Sequence, residues 1–308
     1  MTTLKSSGSN KNNKIICLRP ESDFEEFGEV APSHFNVIYL SPNDRSLIRK
    51  ASDASVLLIP AVGPKISNDI FSKTSLKMVQ VTGAGIDRLD QDFCARNNIK
   101  VCNVLGASAK SVAEYCIFAA LTISRRLSKT TDEILSGNYK ELRGNIIQDR
   151  MFSLSGLTLG VIGFGSIGQE TAKMFSALGC QIQYYDPSDP KVAENLSQIA
   201  VKNGKEELLR TSDIISIHVP LIDQTKNLIS MQEFSLMKKT SILLNASRGG
   251  VVDEHALSQA IQDKKIKGAA IDVFTSEPPE KNNPLLNLPD EFRDNIILTP
   301  HIGGITAQ

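Results

Sequence analysis

The chain has 308 residues, with 34 basic and 34 acidic side chains and a formal net charge of zero. That length accommodates two hydrophobic cores, and balanced charge without a basic stripe excludes an electrostatic footprint for nucleic acid or an anionic membrane surface. Five scattered cysteines without a C-x-x-C pair exclude a disulfide framework or a closed zinc site and fit a reducing cytoplasm, no metal is implied, and no apolar run reaches the roughly 18 residues a membrane span requires.

Residues 1–13, MTTLKSSGSNKNN, read as a flexible polar tail. Short β-branched runs then recur at 14–18, 35–40, 55–60, 76–81 and 99–104, separated by helix-compatible stretches. This alternation predicts β-α units and a mostly parallel sheet. SAKSVAEYCIFAALTISRRL, residues 108–127, opens on Ser108 as an N-cap and predicts one long helix whose apolar breadth calls for burial against another domain or subunit. Six further strands are expected at 157–163, 182–186, 214–219, 241–247, 268–274 and 295–301. Several are apolar throughout, as strands buried on both faces are, and together they describe a doubly wound sheet. Residues 130–150 and 187–210 are more polar and show no clear period.

The first of these later strands runs into VIGFGSIG, with Gly163, Gly165 and Gly168 in G-x-G-x-x-G spacing directly before a helix-compatible stretch. The first glycine permits a tight turn, the second lets the backbone approach a pyrophosphate, and the third allows close helix-to-strand packing. The next strand ends in Asp186, where an acid accepts hydrogen bonds from an adenosine ribose. No Arg follows Asp186 in the Pro-Ser-Asp-Pro run, so a 2′-phosphate would meet repulsion and NAD is preferred over NADP.

Ligands of open α/β sheets bind at the carboxyl ends of the strands, and there lie Asp186, His218, Arg248, Asp272 and His301. Each alone has a structural explanation: Arg248 as a turn cap, His218 as a satisfied buried histidine, Glu277 as a solvated loop carboxylate. His34 and His255 sit in polar contexts and are read as structural. As a set they combine a cofactor loop, an Arg suited to bidentate grip of a carboxylate, and a proton-transferring His.

GFGSIG with Asp186, HVPL (218–221), NASRGGVVDE (245–254), AIDVFTSEP (270–278) and TPHIGG (299–304), in this order, resemble the D-isomer-specific 2-hydroxyacid dehydrogenase family. VTGAGIDRLD and SVAEY extend the resemblance to about residues 76–304. It implies an α/β protein in which a Rossmann-type NAD domain, residues 108–298, is inserted in a flavodoxin-like substrate domain, residues 14–107, with 299–308 returning toward the latter. A homodimer held through the long helix is also implied. His301 matches the family's acid/base residue, Glu277 the carboxylate paired with it, and Arg248 the residue that binds the substrate's carboxylate and oxo oxygen. The amides of Ala84 and Gly85 match the carboxylate cradle. The cofactor would contact Gly163, Gly165, Ser166, Ile167, Gly168, Asp186, Val219, Pro220, Ala246, Ser247, Asp272 and Gly303.

Two features depart from the family. Only Ile305 to Gln308 follow the His-Gly-Gly turn, where relatives continue into a helix. IPAVGPKIS also lacks the Arg that many phosphoglycerate enzymes carry after the third strand. The expected reaction is therefore hydride transfer between NAD(H) and a small unphosphorylated 2-oxo or D-2-hydroxy acid, hydroxypyruvate or glyoxylate being favoured. A D-3-phosphoglycerate dehydrogenase and an NAD-sensing corepressor of the same fold are the alternatives. A methyltransferase would have no use for the Arg-Glu-His set.

Overall fold

A computed structural model describes residues 14–149 and 151–306, so the expected tail lies outside the described residues. Two compact units emerge, 14–107 and 108–306. The first is built on five parallel strands, β1 (Lys14–Cys17), β2 (Asn36–Tyr39), β3 (Val56–Ile59), β4 (Met78–Val81) and β5 (Lys100–Cys102), ordered β2-β1-β3-β4-β5. This is the flavodoxin-type order, with its reversal between β1 and β3. Ile16, Leu57, Ile59 and Val79 are fully buried in its core.

The second unit carries seven parallel strands: β6 (Thr158–Ile162), β7 (Gln181–Tyr185), β8 (Ala200–Lys202), β9 (Ile214–Ile217), β10 (Ile242–Asn245), β11 (Gly268–Ile271) and β12 (Ile296–Leu298). Their order is β12-β11-β10-β9-β6-β7-β8. Chain order reverses between β6 and β9, and the crevice at that switch point is where such sheets bind nucleotides. Strands β9, β10 and β11 are buried at every position. Ile215, Leu243 and Ala269 pack into one core, and Ile214, Ile242 and Ala270 into the other. Both faces are covered, which is why these strands read as unbroken apolar runs rather than alternating ones.

Six strands are expected in this unit from the sequence, and the seventh is β8. It is a three-residue edge strand with two of its positions exposed, so it has no apolar run to announce it. The long helix is Ala109–Arg125, and Ala113, Cys116, Ala119, Ala120 and Ile123 on its buried side are packed into the sheet's core. Its small residues let it lie close to the helix Ser166–Ala177. The helices Thr130–Leu135 and Tyr139–Gln148 bury no residue, which explains why the sequence there shows no stripe. Residues 299–306, expected to turn back toward the first unit, group with the second. The amides of Ile302 and Gly303 are bound by Asp272, and Gly304 packs at Ser108.

Candidate active site

Strand β6 ends at Ile162, and the chain turns at Gly163 with φ of +90°. A Cβ there would lie 2.5 Å from the carbonyl oxygen of His218, so the close crossing of the β6 and β9 ends admits no side chain. A Cβ at Gly168 would lie 2.1 Å from the Gly163 carbonyl oxygen, which presses the helix onto the turn. Gly165 differs: a Cβ there would meet no protein atom within 4 Å. Protein packing therefore does not demand glycine at 165, and the backbone there is left open to close approach by a ligand. Ser166, Ile167 and Gly168 form the first turn of the helix, whose N-terminal amides favour a phosphate group.

Asp186 follows β7 and accepts hydrogen bonds from the Phe164 amide at 2.7 Å and from Ser188 Oγ at 2.6 Å. Burial pushes its carboxyl up, but the hydrogen bonds from Ser188 and Phe164 outweigh that and leave it below the ordinary aspartate value. An ionised acid is thereby tied to the glycine turn, at the position suited to a ribose hydroxyl.

Three loops at the carboxyl edge bring the remaining polar groups together. The turn after β12 presents His301, whose Nδ1 lies 2.9 Å from Glu277 Oε2 and 3.1 Å from Oε1. Glu277 Oε1 also accepts from the Phe274 amide at 3.1 Å. Burial raises the Glu277 carboxyl, but the bond to His301, the Phe274 amide and the nearby charges of His301 and Arg248 together hold it below the ordinary glutamate value. Arg248 follows β10 and reaches the Ser247 carbonyl at 2.7 Å. A cation, an ionised carboxylate and an imidazole thus share one edge of a nucleotide-type sheet.

A family model described as the NAD-binding domain of D-isomer specific 2-hydroxyacid dehydrogenases matches residues 117–303. The chain belongs to that family. The D-3-phosphoglycerate dehydrogenase of Methanocaldococcus jannaschii is 38% identical over 92% of this chain and 51% of its own length. The hydroxypyruvate reductase of Thermotoga maritima is 35% identical over 85% of this chain and 82% of its own. The chain thus spans about half the length of the first of these relatives and most of the second. A D-lactate dehydrogenase structure from Aquifex aeolicus, complexed with NAD and lactic acid, superposes with a TM-score of 0.79 at 29% identity, covering 96% of this chain and 91% of that one.

The other residues expected of a 2-hydroxyacid dehydrogenase fall into three groups. Val219, Pro220, Ala246 and Ser247 lie just past β9 and β10, with the Ser247 hydroxyl donating to Asn245 Oδ1 at 2.7 Å. Asp272 and Gly303 are engaged with each other: Asp272 is 1% exposed, and its Oδ2 accepts from the Gly303 amide at 2.8 Å. Ala84 and Gly85 sit in the loop after β4, and neither amide donates to the protein among the described residues. His218, read as a satisfied histidine, is satisfied at one nitrogen only. Its Nε2 meets Ser216 Oγ at 2.8 Å, Nδ1 has no partner among the described residues, and burial pushes its pKa down to about 4, so the ring is neutral.

Two residues escaped the sequence reading. Gly249 is one: a Cβ there would sit 1.8 Å from the Phe274 carbonyl oxygen, so only glycine lets the Arg248 loop cross the Glu277 loop. The doubled glycine of NASRGG was the available signal. Arg88 is the other, 3% exposed, donating to the carbonyls of Pro60 at 2.6 Å, Val62 at 3.2 Å and Pro64 at 2.9 Å. It fastens the loop after β3 to the loop that carries Ala84 and Gly85, and although VTGAGIDRLD contains it, nothing local in the sequence marks this role.

Proposed function

We propose that the protein is an NAD-dependent oxidoreductase acting on a small D-2-hydroxy acid or its 2-oxo counterpart, with hydroxypyruvate or glyoxylate favoured. The observation that carries this reading is the 2.9 Å contact between His301 and Glu277 at the edge of the sheet that holds the Gly163–Gly168 turn. The open space at Gly165, the amides of the following helix turn and the ionised Asp186 fit NAD. Reduced nicotinamide supplies the hydride when bound there. His301 gives a proton to the oxygen of the developing alkoxide, and in the reverse direction takes it back as a neutral base. Glu277 fixes the ring through Nδ1 and leaves Nε2 for the substrate. Arg248 holds the carboxylate and sets fixed positive charge where negative charge develops.

A D-3-phosphoglycerate dehydrogenase is the second reading, favoured by the 38% identity to the archaeal relative of that name. We place the protein in the cytoplasm, in keeping with its five unpaired cysteines. A homodimer would cover the exposed side chains of Phe118, Leu127, Ile134, Leu135, Tyr139 and Ile147 on and beyond the long helix. The deciding experiment is NADH oxidation over glyoxylate, hydroxypyruvate, pyruvate, 2-oxoglutarate and 3-phosphohydroxypyruvate. Turnover of at least one at enzymatic rates is expected. Turnover of none, with NADH still bound, would leave the corepressor-like reading instead.

A further inference from the structure

His301 adopts φ of +57°, a left-handed conformation that costs a non-glycine residue on the order of 1 kcal/mol or more and persists only where neighbours enforce it. The enforcing group is Asp272. Its backbone carbonyl accepts from the His301 amide at 2.8 Å, and its Oδ1 and Oδ2 accept from the amides of Ile302 at 2.9 Å and Gly303 at 2.8 Å. One residue thus grips three consecutive amides, those of 301, 302 and 303. Oδ1 also accepts from Thr299 Oγ1 at 2.6 Å. Asp272 is 1% exposed, and these donors satisfy its buried oxygens.

The hydrogen-bond chain extends one residue further. Thr299 Oγ1 lies 2.7 Å from Tyr115 Oη. The threonine's single hydroxyl proton is already committed to Asp272, so Tyr115 must be the donor. Burial pushes the Tyr115 phenol above its ordinary value, which keeps that proton in place across the working pH range. The Tyr115 ring also walls the turn: a Cβ at Gly303 would lie 3.3 Å from it and 2.9 Å from Asp272 Oδ2.

We infer that Tyr115, acting through Thr299 and Asp272, is a positioning residue for His301. The long helix thereby fixes the direction in which the imidazole offers its proton. Asp272, also expected at the cofactor, uses both carboxylate oxygens in this grip. The inference rests on the reading of His301 as the acid/base residue, and its test separates the two.

Tyr115→Phe keeps the ring and removes only the donated proton, Thr299→Val removes the relay, and Thr299→Ser restores it. Steady-state reduction of the best 2-oxo acid should show kcat lowered about tenfold in Tyr115→Phe and Thr299→Val, the worth of one good hydrogen bond. KM and NADH affinity should change less than twofold, and Thr299→Ser should return kcat to near wild type. Combining Tyr115→Phe with His301→Ala should add no loss beyond His301→Ala, because the phenol acts only through the imidazole. Full activity in Tyr115→Phe beside an impaired His301→Ala, or losses that add in the double variant, would overturn the positioning role and leave the acid/base reading standing. An unimpaired His301→Ala would overturn both.

Discussion

His301 Nδ1 and Glu277 Oε2 lie 2.9 Å apart, although the two residues come from different loops of the sheet edge. A carboxylate on one ring nitrogen decides which nitrogen is left to meet a substrate. Replacing His301 with Ala removes the proton donor while leaving the nucleotide turn intact. Its kcat should fall by roughly 10²–10⁴, the usual worth of a general acid, with NADH affinity changed far less. Stopped-flow NADH binding beside steady-state turnover measures both; a parallel collapse of the two would show that His301 serves the fold instead.

Glu277 carries a signed prediction about pH. Its carboxyl stands below the ordinary glutamate value because bonds and charges from His301 and the Phe274 amide outweigh the opposing effect of burial. A depressed folded value means that the stability gained from ionised Glu277 is present above the ordinary glutamate range and disappears as pH falls through the lowered one. In His301→Ala the lowering partner goes and the burial remains, so the Glu277 pKa should rise. Carboxyl-carbon NMR titration of the two proteins reads this directly, and equal midpoints would dissolve the pairing.

Much of this site is legible in the sequence because strands buried on both faces leave long apolar runs, and their polar terminal residues then stand out. Asp186, Arg248 and His301 all follow such runs. Edge elements are not legible in this way. β8 exposes two of three positions, and the helices at 130–135 and 139–148 bury nothing, so neither leaves a period. Residues whose work is purely spatial are equally silent. Arg88 reaches back to 60–64, and Tyr115 reaches forward to Thr299, across separations that no local pattern encodes.

Two glycines should respond oppositely to alanine. Gly249→Ala drives a methyl group to 1.8 Å from the Phe274 carbonyl oxygen. The loops bearing Arg248 and Glu277 must then part, with a stability loss of about 1–3 kcal/mol and a fall in kcat. Gly165→Ala meets no protein atom within 4 Å, and its φ of −74° suits alanine. Stability should stay within about 1 kcal/mol of wild type while NADH affinity drops at least tenfold. Thermal melts with and without NADH distinguish the two cases, and unchanged NADH affinity in Gly165→Ala would remove the nucleotide from that turn.

Asp186 should set the nucleotide preference. Its net shift is downward, so it is ionised at neutral pH, and a 2′-phosphate would face its charge. We expect kcat/KM with NADH to exceed that with NADPH, and Asp186→Ser to narrow the ratio mainly by weakening NADH. Equal use of both cofactors by the wild type would refute the assignment.

The substrate's size and charge turn on the loop after β3. Arg88 lies against this loop, but its Nε and Nη1 donate inward to the carbonyls of Pro60, Val62 and Pro64, and burial lowers its pKa, as expected of a charge taken out of water. A Cβ at Gly63 would lie 3.1 Å from that guanidinium carbon, so the loop closes over it. Lys65 is left as the exposed cation of residues 60–66. The loop also abuts the Ala84–Gly85 turn, since a Cβ at Gly83 would come within 2.7 Å of Ala61 Cβ. A second anionic group held beside that turn would therefore meet a single flexible ammonium rather than a bidentate fork. A bidentate charge-assisted contact is worth ~1.5–3 kcal/mol, or about ten- to a hundredfold in kcat/KM, and residues 60–66 offer only the single ammonium of Lys65. Hydroxypyruvate or glyoxylate should accordingly be reduced at least as well as 3-phosphohydroxypyruvate, and Lys65→Ala should alter their kcat/KM less than threefold. A preference for the phosphorylated acid by tenfold or more, abolished in Lys65→Ala, would assign the phosphate to Lys65. The same preference surviving in Lys65→Ala would mean that the 60–66 loop opens in solution to expose Arg88.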